Sequence, residues 1–182
     1  MTTSDDDSSR TGGASPRPPA SRSLFTSRWR GPLALAILFL AIDQFSKYWI
    51  DSRWEIGRWQ TVIPHFFDLV HLRNTGAAWG MFRGQTVLLA VLSLLVMAGL
   101  WWKFDALVEG WRERGIAMGL VLGGIVGNLI DRLARGSVVD FLLFYYRSFQ
   151  WPAFNVADTC ICCGVGLFIL SSLFRDHDGR TP

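Results

Sequence analysis

Four stretches of the chain are nearly free of charge: Pro32 to Ile50, Thr86 to Trp102, Gly115 to Ile130 and Ala153 to Phe174. A helix needs roughly 17–25 apolar residues to cross the hydrocarbon core of a bilayer. Each stretch is close to that length, and Lys103, Asp131-Arg132 and Arg175-Asp176 close the last three. The pattern predicts an all-α membrane protein with four transmembrane helices. Segments 51–85 and 131–152 then lie on one side and both termini on the other. Within the first, Trp59 to Arg73 is rich in Trp, Thr, Val, Ile and Phe and is broken at Pro64, which predicts two short strands. Asn74-Thr75-Gly76 follows as a turn. The aromatic load of this segment suits a small β-platform at the headgroup level. The second outer segment, Phe141 to Trp151, has the same aromatic character and predicts an interfacial flap or half-embedded helix. A soluble protein with four buried core helices is the competing arrangement.

Residues 1 to about 30 are rich in Ser, Thr, Pro, Gly and Arg and carry an acidic Asp5-Asp6-Asp7 cluster. Such a segment buries too little apolar surface to offset its ordering entropy, so a disordered tail is expected. Arg22, Arg28 and Arg30 before the first apolar stretch imitate a signal peptide. The helical pattern nevertheless continues past Asp43 to Ile50, and no small-x-small cleavage site follows. A retained span results, with Pro32 suited to a first helical turn. The expected organisation is a cytoplasmic tail over 1–30, a four-span domain over 31–175 and a cytoplasmic tail over 176–182. Lys and Arg are slightly more numerous in the tails and the 103–114 connection than in 51–85 and 131–152, which orients the termini toward the cytoplasm.

Composition adds exclusions. The chain has 182 residues, 50% hydrophobic, with a mean hydropathy of +0.25. Its net charge of +3 forms no basic stripe interleaved with aromatics, so nucleic acid is not an expected partner. Cys160, Cys162 and Cys163 crowd into one apolar stretch and cannot build a disulfide framework. They read as buried apolar side chains. His65 and His71 lack the companions of a metal site, and His177 is remote; no metal and no cofactor are expected. Gly119, Gly123 and Gly127 fall at intervals of four and put three small residues on one helix face, where a second helix can approach closely.

The polar residues inside the apolar stretches carry the chemistry. Asp43 and Lys47 stand at i, i+4 and can pair on one helix face, either as an internal ion pair or in support of a site. Asn128 and Arg132 share the same spacing, and Asn155 and Asp158 are at i, i+3. Asp140 comes just after the third stretch. With four spans, all of these and Asp131 gather at the outer boundary of the bilayer. A carboxylate at that depth is costly and marks a functional site by default. No serine with a nearby histidine and acid stands out, and no Ser-Lys pair is evident. Two aspartates held close share a proton, so one can take a proton from water while the other donates to a carbonyl oxygen. Such a dyad titrates as a pair. A transporter or channel subunit and a structural assembly factor are the competing classes.

Five blocks in order carry a resemblance: Asp43-Gln44-Phe45-Ser46-Lys47; Asn74-Thr75-Gly76-Ala77-Ala78-Trp79-Gly80; Gly123 to Arg132; Val139-Asp140-Phe141; and Phe154-Asn155-Val156-Ala157-Asp158. Over roughly residues 32–174 the chain resembles the bacterial lipoprotein signal peptidases, or signal peptidase II. The resemblance implies a monomeric aspartyl endopeptidase of the bacterial cytoplasmic membrane, working among membrane lipids with its active site at the outer face. Its implied substrate is a diacylglyceryl-modified prolipoprotein, cut before the lipidated cysteine. The implied catalytic residues are Asp140 and Asp158. Asp43, Lys47, Asn74, Asn128, Arg132 and Asn155 are the implied supporting residues, with Gly76 in the substrate-holding platform. Trp79 stands where Phe is more usual in that family, and Thr159 where Ser is common; both keep the general character.

Overall fold

The structure is a computed structural model that describes residues 22–178. Its elements in chain order are α1 (Arg22–Arg53), β1 (Trp59–Ile63), β2 (Phe67–Asn74), α2 (Thr86–Trp102), α3 (Phe104–Val108), α4 (Arg112–Arg135), β3 (Val138–Tyr146), β4 (Phe149–Gln150) and α5 (Val156–Asp178). A single 3-10 turn, Ala78–Gly80, lies between β2 and α2. The fold is therefore mostly helical with a small antiparallel sheet. Three helical segments among the described residues are long and apolar enough to cross a membrane: Trp29–Arg53, Arg112–Arg135 and Val156–Phe174. The fourth apolar stretch, α2, is 17 residues long. Residues 1–21 and 179–182, which hold most of the two expected tails, lie outside the described residues.

α1 begins at Arg22, earlier than the sequence suggests. The apolar side chain that helps hold this early turn is Trp29, stacked on Phe104 at 3.5 Å and tilted against Trp101 at 4.3 Å between ring centroids. α4 is the central helix and packs on α1, α2 and α5. The glycine stripe does what its spacing predicts. A Cβ on Gly119 would lie 2.6 Å from the Pro32 carbonyl oxygen, and one on Gly123 would lie 2.8 Å from that of Ala36. The two backbones touch, so nothing larger than hydrogen fits. Gly123→Ala is expected to lower stability by about 1–3 kcal/mol, the usual cost of overpacking. Gly99, with nothing within 4 Å of an added Cβ, is the contrast; Gly99→Ala should be neutral or gain up to about 1 kcal/mol in helix propensity. Thermal unfolding of the two variants in detergent checks both.

The sheet has the order β1-β2-β3-β4. The expectation of a half-embedded helix over Phe141 to Trp151 is corrected here: most of this segment is strand. Its aromatic residues, with Val138 and Val139 before them, suit a pleated, half-buried surface, and β2 offers an edge to pair with. The register sets Leu72 opposite Asp140 and Asn74 opposite Val138. Ile50 and Trp54 from the end of α1 pack with Val139 and Phe141, seating the sheet on the helices.

Candidate active site

Asp158 stands in the first turn of α5, where the opening backbone N–H groups have no partner within the helix. The sequence supplies partners for two of them. Asn155 caps the helix, its Oδ1 accepting from the Asp158 N–H at 3.0 Å, and Asp158 Oδ2 accepts in return from the Asn155 N–H at 3.2 Å. This reciprocal pair is a capping box with a carboxylate three residues after the cap. The Ala157 N–H donates to Asp43 Oδ1 at 2.8 Å, so α1 caps α5 as well. A negative charge is favoured at this end of the helix macrodipole.

Capping uses only the oxygen of the Asn155 side chain. Its Nδ2 donates to Asp140 Oδ1 at 2.8 Å. One fully buried asparagine thus holds both aspartates, Asp158 from α5 and Asp140 from β3. Each carboxylate has a second donor, Asn74 Nδ2 to Asp140 Oδ2 at 2.9 Å and Asn128 Nδ2 to Asp158 Oδ1 at 2.8 Å. Asn74 is itself oriented by the Gly76 N–H, which donates to its Oδ1 at 2.9 Å.

Lys47 lies behind this layer with no exposed surface. Its ammonium pairs with Asp43 at 2.8 Å and Asp131 at 3.2 Å, and donates to Asn128 Oδ1 at 2.9 Å. That last bond fixes which way the Asn128 amide faces and so aims its N–H at Asp158. Asp131 Oδ2 also accepts from the Val139 N–H at 3.1 Å, beside Asp140. Gln44 bridges Asp43 at 3.1 Å and the Gly127 carbonyl at 3.1 Å. Asp131 belongs to the polar group that the sequence gathers at one depth, whereas Gln44 carries no such signal. The signal for Asp131 was present, since it stands at i, i+3 from Asn128 on the same helix face.

Asp140, Asp158, Asn74, Gly76, Asn128 and Arg132 all border one cavity of about 910 Å³. Asp43, Lys47 and Asn155 are buried beneath it. Arg132 reaches over the rim, its guanidinium 3.4 Å from the carbonyl oxygens of Gly76 and Asn128. The cavity continues along α5 past Thr159 and Ile161 to Cys162 and Cys163. These two cysteines are exposed, and only Cys160 is buried, as all three were expected to be. The reason is geometric: one stripe of α5 packs on α4, and the rest of its surface is left open. His71 is a core histidine, its Nδ1 2.8 Å from the Trp54 carbonyl oxygen. Burial, and next to it the negative charge of Asp158, raise the Asp140 pKa to about 7, while the hydrogen bonds from Asn74 and Asn155 pull it back.

Residues 35–174 match the family described as signal peptidase (SPase) II. The chain belongs to the signal peptidase II family. Among its relatives, the lipoprotein signal peptidase of Symbiobacterium thermophilum is 40% identical over 147 residues, 81% of this chain and 97% of that protein. The lipoprotein signal peptidase of Bacillus subtilis is 37% identical over 139 residues, 76% of this chain and 90% of that protein. Two solved structures described as bacterial membrane enzymes share the fold. One has a TM-score of 0.77 at 30% identity and covers 84% of this chain and 93% of its own; the other has a TM-score of 0.70 at 32% identity, with 79% and 92% covered. Membership of a signal peptidase II family fits a peptidase cavity better than a transporter pathway, and the polar groups of this chain accordingly collect at one end of the helices.

Proposed function

We propose that this signal peptidase II removes signal peptides from prolipoproteins by activating water on Asp140 and Asp158, cutting before a cysteine that carries a diacylglyceryl group. The observation that carries the reading is Asn155, which holds a carboxylate from the sheet and one from a helix on the wall of a single cavity. Asp158 takes a proton from water as that water attacks the scissile carbonyl. Asp140 gives its proton to the carbonyl oxygen, and the pair returns a proton to the departing amine. Arg132 and Asn128 are placed to steady the negative charge that develops. The apolar wall of the cavity along α5 suits acyl chains, and a site at the helix ends lets those chains stay among membrane lipids. In this reading α2 is the fourth span, residues 31–175 form one peptidase domain, the termini are cytoplasmic, and the monomeric enzyme works at the outer face of the cytoplasmic membrane.

The test is cleavage of a diacylglyceryl-modified prolipoprotein by the purified chain in detergent, beside the same protein without its lipid. Cleavage before the lipidated cysteine, lost when the lipid is absent, is expected; equal cleavage of both substrates removes the lipid from the reading. The pH profile gives a second expectation. With its pKa at about 7, Asp140 carries the shared proton below that pH and loses it above. Activity on kcat/KM should therefore fall through an alkaline limb near pH 7. Asn74→Ala removes a bond that favours ionised Asp140, which raises its pKa and moves that limb to higher pH. A limb that stays in place in this variant dissociates it from Asp140.

A further inference from the structure

The two carboxylates belong to different parts of the fold. Asp158 is carried by the helices, through α5 and its contacts with α1 and α4. Asp140 is carried by the sheet, through β3 and its register with β2. Their separation depends on Asn155, on the backbone bonds that join Phe154 to Phe141 and Leu142, and on how firmly the rest of the sheet is fixed to the helix ends. One ionic cluster outside the site crosses that joint.

Its centre is Asp51, near the end of α1. Asp51 Oδ1 is paired with Arg73 Nη2, and His71 Nε2 stands 3.3 Å from the same oxygen. Both partners come from β2. Asp51 Oδ2 is 3.7 Å from Nε of Arg135, in the last turn of α4. Arg135 in turn pairs with Asp131, whose other oxygen holds the Val139 N–H and the Lys47 ammonium. The cluster thus ties α1, α4 and β2 together at one residue. Its attachment points are immediate neighbours of the site: Arg73 precedes Asn74 and pairs in register with Val139, which precedes Asp140. Asp51 is about a quarter exposed, Arg73 and Arg135 slightly less. Isolated ion pairs at that exposure add little to stability, so anchoring the fold is a weak reason for four charged or titratable side chains to converge here.

We propose that Asp51, with Arg73 and Arg135, is a positioning clamp that holds β2 to the helix ends and, together with the Asn155 bridge, fixes where sheet-borne Asp140 stands against helix-borne Asp158. The proposal rests on the reading of those two aspartates as the catalytic pair. Loosening the clamp lets β2 and β3 shift against α5 while the cavity, its apolar wall and the acyl-chain site remain. Substrate binding then persists and the chemical step suffers.

The experiment compares cleavage kinetics of the full chain in detergent for Asp51→Asn, Asp51→Glu, Arg135→Gln and Asp140→Asn, with thermal unfolding of each. A misplacement of about 1 Å costs on the order of 10²-fold in rate. Asp51→Asn and Arg135→Gln are expected to lose about 10- to 100-fold in kcat with KM changed less than about threefold, the signature of an interaction expressed at the transition state. Asp51→Glu keeps the charge and should recover most of the loss. A merely structural role would lower the unfolding temperature and leave kcat alone; that result in folded Asp51→Asn protein, or failure of Asp51→Glu to recover, overturns the clamp. Should Asp51→Asn be too unstable to purify, Arg135→Gln carries the same decision. Loss of cleavage in Asp140→Asn beside normal kcat in Asp51→Asn rejects the clamp alone. Normal cleavage in Asp140→Asn rejects the dyad and the clamp together.

Discussion

Asp140→Asn and Asp158→Asn are each expected to slow prolipoprotein cleavage by about 10²–10⁴-fold, the share that a positioned acid or base contributes. Both changes keep the size of the side chain and remove its ability to exchange a proton. They also disturb hydrogen bonding in a way the geometry makes specific. Each carboxylate accepts from two donors on its two oxygens: Asn74 and Asn155 for Asp140, Asn128 and the Asn155 N–H for Asp158. An amide offers one acceptor, so its NH₂ must face a donor. That mismatch costs about 1–3 kcal/mol, and unfolding curves of the variants separate it from lost chemistry. In the proposed mechanism the two groups act in one step, so the double variant should be no slower than the worse single one. Single-turnover cleavage measures all three. Retention of near-normal rate by either single variant in folded protein would remove that residue from the pair, and multiplicative losses in the double variant would mean the two act in separate steps.

Lys47→Met is the substitution expected to cost the most stability. The ammonium is fully buried between Asp43 and Asp131, at 2.8 and 3.2 Å. Methionine fills much of the same volume and leaves the Asp43 carboxylate buried without its counter-charge and Asp131 with Arg135 alone. Removing one partner of a buried ion pair costs about 3–5 kcal/mol. For a chain of this size each kcal/mol moves the melting temperature by about 2–4 °C, so a fall of roughly 10 °C in detergent is expected. Pairing the change with Asp43→Asn removes the stranded charge, and the double variant should be more stable than the sum of the singles. Activity falls as well, because Asn128 loses the bond that aims its N–H at Asp158. An unchanged melting temperature would show that the buried cluster contributes nothing to holding α1 against α4.

Much of this was legible in the sequence, for reasons that can be named. The apolar runs, the glycine interval in α4, and the i, i+3 and i, i+4 spacings of Asn155–Asp158 and Asp43–Lys47 are local, and local periodicity survives in the order of residues. The polar residues inside apolar runs that border or underlie the cavity were legible for the same reason. β3 was not read as a strand because its partner β2 lies far away in the chain, and aromatic residues fit a headgroup-level helix equally well. Gln44 carries no signal of its own in the sequence, and its bridge from Asp43 to Gly127 exists only because α1 and α4 pack together. The exposure of Cys162 and Cys163 depends on which stripe of α5 faces α4, and an evenly apolar helix does not disclose that. Asp51, Arg73 and Arg135 look like surface charges on three separate elements, and only the tertiary arrangement makes them a cluster.

The 17 residues of α2 carry a consequence for the lipid around the protein. At 1.5 Å per residue the helix is about 25 Å long, against a hydrocarbon core of about 30 Å. As a span it is mismatched, and the bilayer beside it thins or pulls on its ends, at a fraction of a kcal/mol per Å. One of those ends is fastened to the rim of the cavity: Thr86 Oγ1 donates to the Gly136 carbonyl at 2.9 Å and to that of Thr75 at 3.3 Å. Gly136 lies just before β3, and Thr75 sits between Asn74 and Gly76. In the proposed four-span reading, tension from a thick membrane reaches the turn that holds Asn74, and turnover in bilayers of short and long acyl chains is expected to differ.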